Sequence, residues 1–197
     1  AVPATLALAV LAEPLLATLF QYGAFSAEDR TMAAASLRAY TLGLGAFMLV
    51  KVLVPGFYAR QDMRTPVRVG IIAMVSNMVL NVALVLPLMT MFNMGHVGLA
   101  LATSLSAWLN AGLLYRGLRR DAVLPEPSVL SKWLLQIGLA SAAMTWVLVW
   151  MQPGQAEWTM WAWWERATQL GMLCLTGLGV FAASLWLMGV RPADLRR

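Results

Sequence analysis

Three long stretches of this chain hold no Asp, Glu, Lys or Arg: Val69 to Tyr115, Trp133 to Ala156 and Ala167 to Val190. A soluble domain has a polar surface and carries about a quarter charged residues, so it has no place for such stretches. The chain is 60% hydrophobic and 12% charged, with a mean hydropathy of +0.71. Its solvent is lipid. A soluble α/β enzyme, a disulfide-stapled secreted module and a disordered tail are excluded together.

A bilayer core about 30 Å thick takes roughly 20 helical residues. Six segments meet that length: Pro3–Tyr22, Leu37–Tyr58, Val67–Leu86, Val97–Tyr115, Trp133–Met151 and Ala167–Val190. A closed barrel is the other structure that satisfies its backbone in lipid, but its strands would alternate polar and apolar residues, and these runs do not. The fold predicted is all-α: a polytopic helical membrane protein of six transmembrane helices. The chain has no initial Met, basic n-region or cleavage site, so the first run reads as a genuine span and the chain as a piece of something longer.

The connections carry turn chemistry. Ser26, followed by Glu28 and Asp29, reads as a helix cap with an acidic first turn, and that helix is expected to start outside the membrane and run into the second span. Arg60 to Pro66 is a polar turn, with Pro66 at a helix start. Pro87 to His96 reads as a short hairpin link, and Gln152-Pro153-Gly154-Gln155 ends the fifth span. Leu124-Pro125-Glu126-Pro127-Ser128 is a stiff linker and the best domain boundary, dividing the chain into 1–123 and 124–197.

Basic residues set the orientation. Arg60, Arg64, Arg68, Arg116, Arg119, Arg120, Lys132, Arg191, Arg196 and Arg197 fall on one side, which makes that side and the C-terminus cytoplasmic. Only Arg30, Arg38 and Arg166 fall on the other. There the cluster Trp158, Trp161, Trp163 and Trp164 suits the headgroup layer. The net charge of +5 therefore points to the membrane, not to nucleic acid, since no basic stripe with interleaved aromatics occurs. The one cysteine, Cys174, reads as a small buried hydrophobe.

Few polar groups remain inside the spans. Lys51 lies seven residues before Tyr58, about 10 Å from the cytoplasmic end. It either snorkels to the interface or lines a water-filled pathway. Glu13, followed by the helix-bending Pro14, is a neutral structural group at a kink or a partner of Lys51 at similar depth. Asn77 and Asn81 share one helix face, as do Thr103, Ser106 and Asn110. Such groups act as interhelical hydrogen-bond glue or as oxygen ligands for a hard cation. Gly43 and Gly45, Gly98 and Ala102, and Gly177 and Gly179 permit close helix approach. No G-x-S-x-G elbow, Walker loop or carboxylate–histidine cluster occurs, which argues against an enzyme.

Glu13-Pro14-Leu15-Leu16, then Leu19-Phe20-Gln21-Tyr22-Gly23-Ala24-Phe25, then Tyr40-Thr41-Leu42-Gly43-Leu44 resemble the MurJ (MviN) family of lipid II flippases. The most distinctive stretch is Val50-Lys51-Val52-Leu53-Val54-Pro55-Gly56-Phe57-Tyr58-Ala59-Arg60-Gln61-Asp62 with Thr65-Pro66-Val67. Gly98-Leu99-Ala100-Leu101-Ala102-Thr103-Ser104 also fits. The resemblance covers about Leu11 to Arg120. The last two spans match in position and hydropathy.

The resemblance implies a fourteen-span protein of the multidrug/oligosaccharidyl-lipid/polysaccharide exporter class, of which this chain is the ninth to fourteenth spans. It further implies four spans of the C-terminal transport lobe in 1–123 and two additional spans in 124–197, lining a groove for a lipid tail. The implied activity is movement of the undecaprenyl-linked peptidoglycan precursor, lipid II, across the bacterial inner membrane by alternating access. The implied partners are lipid II, membrane lipids and the N-terminal spans of the same protein, where the family's headgroup-binding arginines mainly lie. No cofactor is implied; coupling to sodium, to protons or to the membrane potential stays open. The family's sodium site falls on Asn77, Asn81, the carbonyl of Leu99 and Thr103. Asn81 stands where sodium-binding members carry an acid, and that lost charge weakens a cation site. A related polysaccharide-lipid or drug exporter, and a non-transporting membrane scaffold for cell-wall enzymes, are the rival functions.

Overall fold

The computed structural model describes residues 1–21, 25–92, 94–120 and 127–189. Among these, the order is α1 (Val2–Val10), α2 (Ala12–Leu19), α3 (Ala27–Tyr58), α4 (Arg64–Phe92), α5 (Gly95–Arg120), α6 (Pro127–Met151), α7 (Gln155–Met160) and α8 (Trp163–Leu187). Five of these helices are long and apolar enough to cross a membrane, and α1 with α2 makes a sixth as one bent span. The chain is an all-α polytopic membrane protein. Tyr22-Gly23-Ala24, Asn93, the linker from Leu124 to Glu126 and Arg191, Arg196 and Arg197 lie outside the described residues, as does the boundary between 123 and 124.

The first span departs from a straight helix. It breaks at Leu11, and its two halves meet at 63°. Pro14 explains the place of the break. It lacks the N–H that would bond the carbonyl of Val10, and its ring crowds that carbonyl. The flanking bonds survive: Leu11 donates to Ala7 at 2.8 Å and Leu15 to Leu11 at 2.9 Å. Pro14 therefore ends up in the first turn of α2, where a missing N–H costs little.

Local capping sets the next two helices. The Ser26 hydroxyl accepts from the N–H of Asp29 at 3.1 Å, and the Asp29 carboxylate accepts from the N–H of Ser26 at 2.9 Å. This reciprocal cap starts α3 well before the apolar run, as the sequence leads one to expect. At the other end, Gln61 takes a left-handed φ of 59°. The N–H of Asp62 then reaches the carbonyl of Phe57 at 3.1 Å, and that of Gln61 reaches Tyr58 at 2.9 Å. These are the two bonds of a Schellman closure. Asp62 immediately caps α4, accepting from the N–H groups of Arg64 and Thr65 at 3.0 Å each.

One sequence expectation about links is corrected. Pro87 does not open a hairpin; it lies inside α4, which continues to Phe92. Flanking apolar residues keep the segment in lipid, where helical backbone is the available way to satisfy its polar groups. Helix α6 ends at Met151, before Gln152-Pro153-Gly154 as expected, and the short helix α7 then precedes α8.

The chain packs as two units. One contains Ala35–Glu126, hence the greater part of α3 with α4 and α5; the other contains Val2–Ala34 and Pro127–Arg197. In the first unit, α3 and α5 meet along small residues. Ala46, Ala107 and Ala111 form one buried cluster. Gly43 is needed here: a Cβ would lie 2.7 Å from the Ser104 hydroxyl and 2.9 Å from its Cα. That approach lets Ser104 donate to the carbonyl of Ala39 at 2.7 Å and the Trp108 indole donate to that of Leu42 at 2.8 Å. Gly98 does the same between α5 and α4, where a Cβ would lie 3.0 Å from the Leu84 carbonyl oxygen. Toward the Arg60 turn the packing becomes bulky, with Leu53, Phe57, Val69, Leu114 and Leu118 buried together.

In the second unit, Leu11, Ala17, Met144, Leu148, Trp158 and Leu173 form the core. Trp158 is thus a core residue, 2% exposed, with its ring tilted at 57° to that of Trp161 and the centroids 5.4 Å apart. Only Trp163 and Trp164 of the tryptophan cluster are exposed as headgroup anchors would be. Helix α7 is the reason: it folds Trp158 inward. Cys174 is likewise corrected. It is exposed, because α8 turns Leu173 and Gly177 to the core and Cys174 away from it.

Candidate functional site

In the first unit a cleft of about 490 Å³ opens between α3, α4 and α5. Lys51 and Phe47 of α3, Asn77 and Met74 of α4, and Thr103, Ser106 and Asn110 of α5 are on its walls. The spacing rules that set these polar groups on shared helix faces therefore hold, and the three helices turn those faces to one space. Lys51 is exposed there. It is the one basic side chain on walls otherwise made of amides, hydroxyls and apolar groups.

The polar wall is ordered by a relay of hydrogen bonds. The Asn81 amide donates to Asn77 Oδ1 at 2.8 Å. The Asn77 amide donates to Ser106 Oγ at 3.0 Å, and Ser106 donates to the Thr103 carbonyl at 2.9 Å. Thr103 in turn donates to the Leu99 carbonyl at 2.9 Å. Asn77, Asn81, Leu99 and Thr103 are thus brought together on α4 and α5. Their oxygens, however, are used by protein donors: Asn77 Oδ1 and the Leu99 carbonyl each accept. Asn81 Oδ1 is the one buried side-chain oxygen of this relay without a partner. A hard cation gathers several oxygens, usually with a carboxylate among them. No carboxylate is among these four residues, and only Asn77 bonds across helices, to Ser106; Asn81 and Thr103 bond within their own helices.

Glu13 belongs to the second unit. It is 8% exposed in the first turn of α2. The sequence missed its surroundings. Arg30 and Arg166, counted there as loop charges, are 5% and 8% exposed. Arg30 Nη1 donates to Gln21 Oε1 at 2.9 Å. Arg166 donates from Nε to the Trp161 carbonyl at 3.0 Å and from Nη1 to the Ala17 carbonyl at 3.1 Å. A signal was available. Both arginines are the fourth residue of their helices, where the macrodipole disfavours a cation. Such placement needs a specific acceptor, and the carbonyl end of α2 supplies it for Arg166.

The second unit also holds an apolar groove of about 340 Å³, bounded by Pro3, Ala7, Leu11, Leu148, Gly177 and Leu178 among others. Gly177 lets Leu148 close its floor, since a Cβ there would lie 3.2 Å from the Leu148 side chain.

Comparison with known proteins adds a lineage to this geometry. A family model described as lipid II flippase MurJ matches residues 1–164. A probable lipid II flippase MurJ of Vibrio cholerae is 46% identical over 195 residues, covering 99% of this chain and 36% of the relative. A probable lipid II flippase MurJ of Haemophilus influenzae is 43% identical, covering 98% of this chain and 37% of the relative. The lipid II flippase MurJ of Burkholderia cenocepacia is 38% identical over 207 residues, with 100% and 37% covered. The chain spans a little over one third of the length of these relatives.

Proposed function

The chain belongs to the lipid II flippase MurJ family, and from that premise we propose that it is the C-terminal portion of a flippase for the lipid-linked peptidoglycan precursor. It is a transporter part, not an enzyme. It works in the bacterial inner membrane with its C-terminus in the cytoplasm, beside the N-terminal spans of the same protein.

The observation that carries this reading is the convergence of Lys51, Asn77, Ser106 and Asn110 on one cleft. A lipid-linked precursor presents a pyrophosphate and sugar hydroxyls. The Lys51 ammonium is a point charge suited to a phosphate oxygen, and the amides and hydroxyls suit the sugars. The apolar groove of the second unit suits the polyprenyl tail. In alternating access, a cleft of this kind holds the headgroup only while it faces one leaflet. Sodium is the coupling source these residues favour least, because Asn81 brings no charge.

The test replaces Lys51 in the full-length protein. Lys51→Met is expected to trap lipid II on the inner leaflet of depleted cells, and Lys51→Arg to restore part of its translocation. Full translocation by Lys51→Met overturns the role of Lys51. A different lipid-linked cargo accumulating on depletion of the whole protein favours a related exporter. Unchanged translocation on that depletion favours a scaffold.

A further inference from the structure

Apart from the Ser141 hydroxyl, two buried nitrogen donors of the second unit lack partners among the described residues: Arg30 Nε and Trp158 Nε1. Their residues are 5% and 2% exposed. Arg30 and Trp158 both line the same small cavity, whose other walls are Glu13, Pro14, Ala17 and Gln152. Buried N–H groups without an acceptor are rare, because each forfeits its hydration. Two of them around one cavity call for a shared acceptor.

The cavity volume is about 10 Å³, the room that one water needs. We infer that this cavity is the site of a single structural water that accepts hydrogen bonds from Arg30 Nε and Trp158 Nε1 and donates to a carboxyl oxygen of Glu13 or the side-chain oxygen of Gln152. The chemistry selects water over the alternatives. A small anion would satisfy both donors, but it is larger than the cavity. An apolar filling would leave both donors unpaired. Water alone offers two lone pairs to the donors and two protons to the acceptors opposite.

The position gives the water a task. Glu13 and Ala17 belong to α2, Arg30 to the first turn of α3, Gln152 follows α6, and Trp158 belongs to α7. One water thus joins the bent half of the first span to the elements around it. It lets Arg30 remain buried beside α2 while only its Nη1 finds a protein acceptor.

The test is a density map of the full-length protein in lipid, at a resolution that shows ordered water. The expected result is one peak within roughly 2.7–3.2 Å of both nitrogens, lost or displaced in Trp158→Phe. Indole ¹⁵N labelling gives a second reading: a water cross-peak at the one tryptophan signal that Trp158→Phe removes. Three outcomes overturn the proposal. They are an empty cavity, direct pairing of both nitrogens with protein oxygens, and an anomalous bromide peak at this place after anion exchange.

Discussion

The side-chain amide of Asn77 on α4 donates to the hydroxyl of Ser106 on α5 at 3.0 Å, 29 residues away in the chain. That bond ties the two helices at the polar wall of the cleft and fixes which way both amides of the Asn77–Asn81 pair point. Ser106→Ala removes the acceptor and is expected to cost about 1 kcal/mol, read as a lower thermal midpoint of the full-length protein. With Asn77 Oδ1 and the Leu99 carbonyl already accepting and no carboxylate in the relay, exchanging sodium for potassium should leave the wild-type midpoint unchanged. Asn81→Asp should create a sodium-dependent rise. A sodium shift in the wild type would contradict this account of the relay.

Gly43 sets how closely α3 approaches α5. In Gly43→Ala the new Cβ would come within 2.9 Å of the Ser104 Cα, a backbone atom, so side-chain rotation cannot relieve it. Overpacking of this kind costs about 1–3 kcal/mol. The expected outcome is a lower midpoint, partly recovered by adding Ser104→Gly. Gly45→Ala, whose Cβ would lie 3.6 Å from the Trp108 ring, is the control and should be close to neutral.

Gln61 holds a left-handed conformation that a side chain disfavours by about 1–2 kcal/mol. It is exposed and has no packing role. Gln61→Gly keeps the closure between α3 and α4 and should stabilise the protein by up to about 1 kcal/mol, allowing for the greater freedom of glycine when unfolded. Gln61→Val, β-branched, should do the reverse. Thermal or denaturant unfolding reads both.

Asp62 lies outside the spans and its carboxyl is held below the usual carboxylate range. The Thr65 side chain is the main cause, followed by the Thr65 backbone N–H. A depressed carboxyl binds protons more weakly folded than unfolded. Its stabilisation is therefore present above the ordinary value of 3.8 and fades as pH falls through the lower folded value. Asp62→Asn keeps an acceptor for α4 but cannot titrate. Unfolding measured between neutral and strongly acidic pH should show a shallower acid loss for this variant than for the wild type.

The spans were legible in the sequence because length and apolarity alone decide whether a helix can cross lipid. The cap at Ser26 was legible because a cap involves residues two or three apart, and Arg60 to Pro66 was legible as the polar turn in which Asp62 proves to be the cap. The resemblance motif around Lys51 marked the residue, but not what faces it. Rotation of each helix was hidden. In lipid the outer face of a helix is as apolar as the packed face, so periodicity does not reveal which side meets a neighbour. Arg30, Arg166 and Trp158 were misjudged for that reason: beside an apolar run, a charge or an indole looks like a loop or headgroup group until its partners are known. Sequence by itself determined that this is a helical membrane protein, that α3 starts at the Ser26 cap, and that Lys51 stands nearly alone among amides. Tertiary structure alone decided that Lys51, Asn77, Ser106 and Asn110 share one cleft, and that two arginines are buried at α2. Both depend on contacts between helices far apart in the chain, which local propensity and hydropathy do not encode.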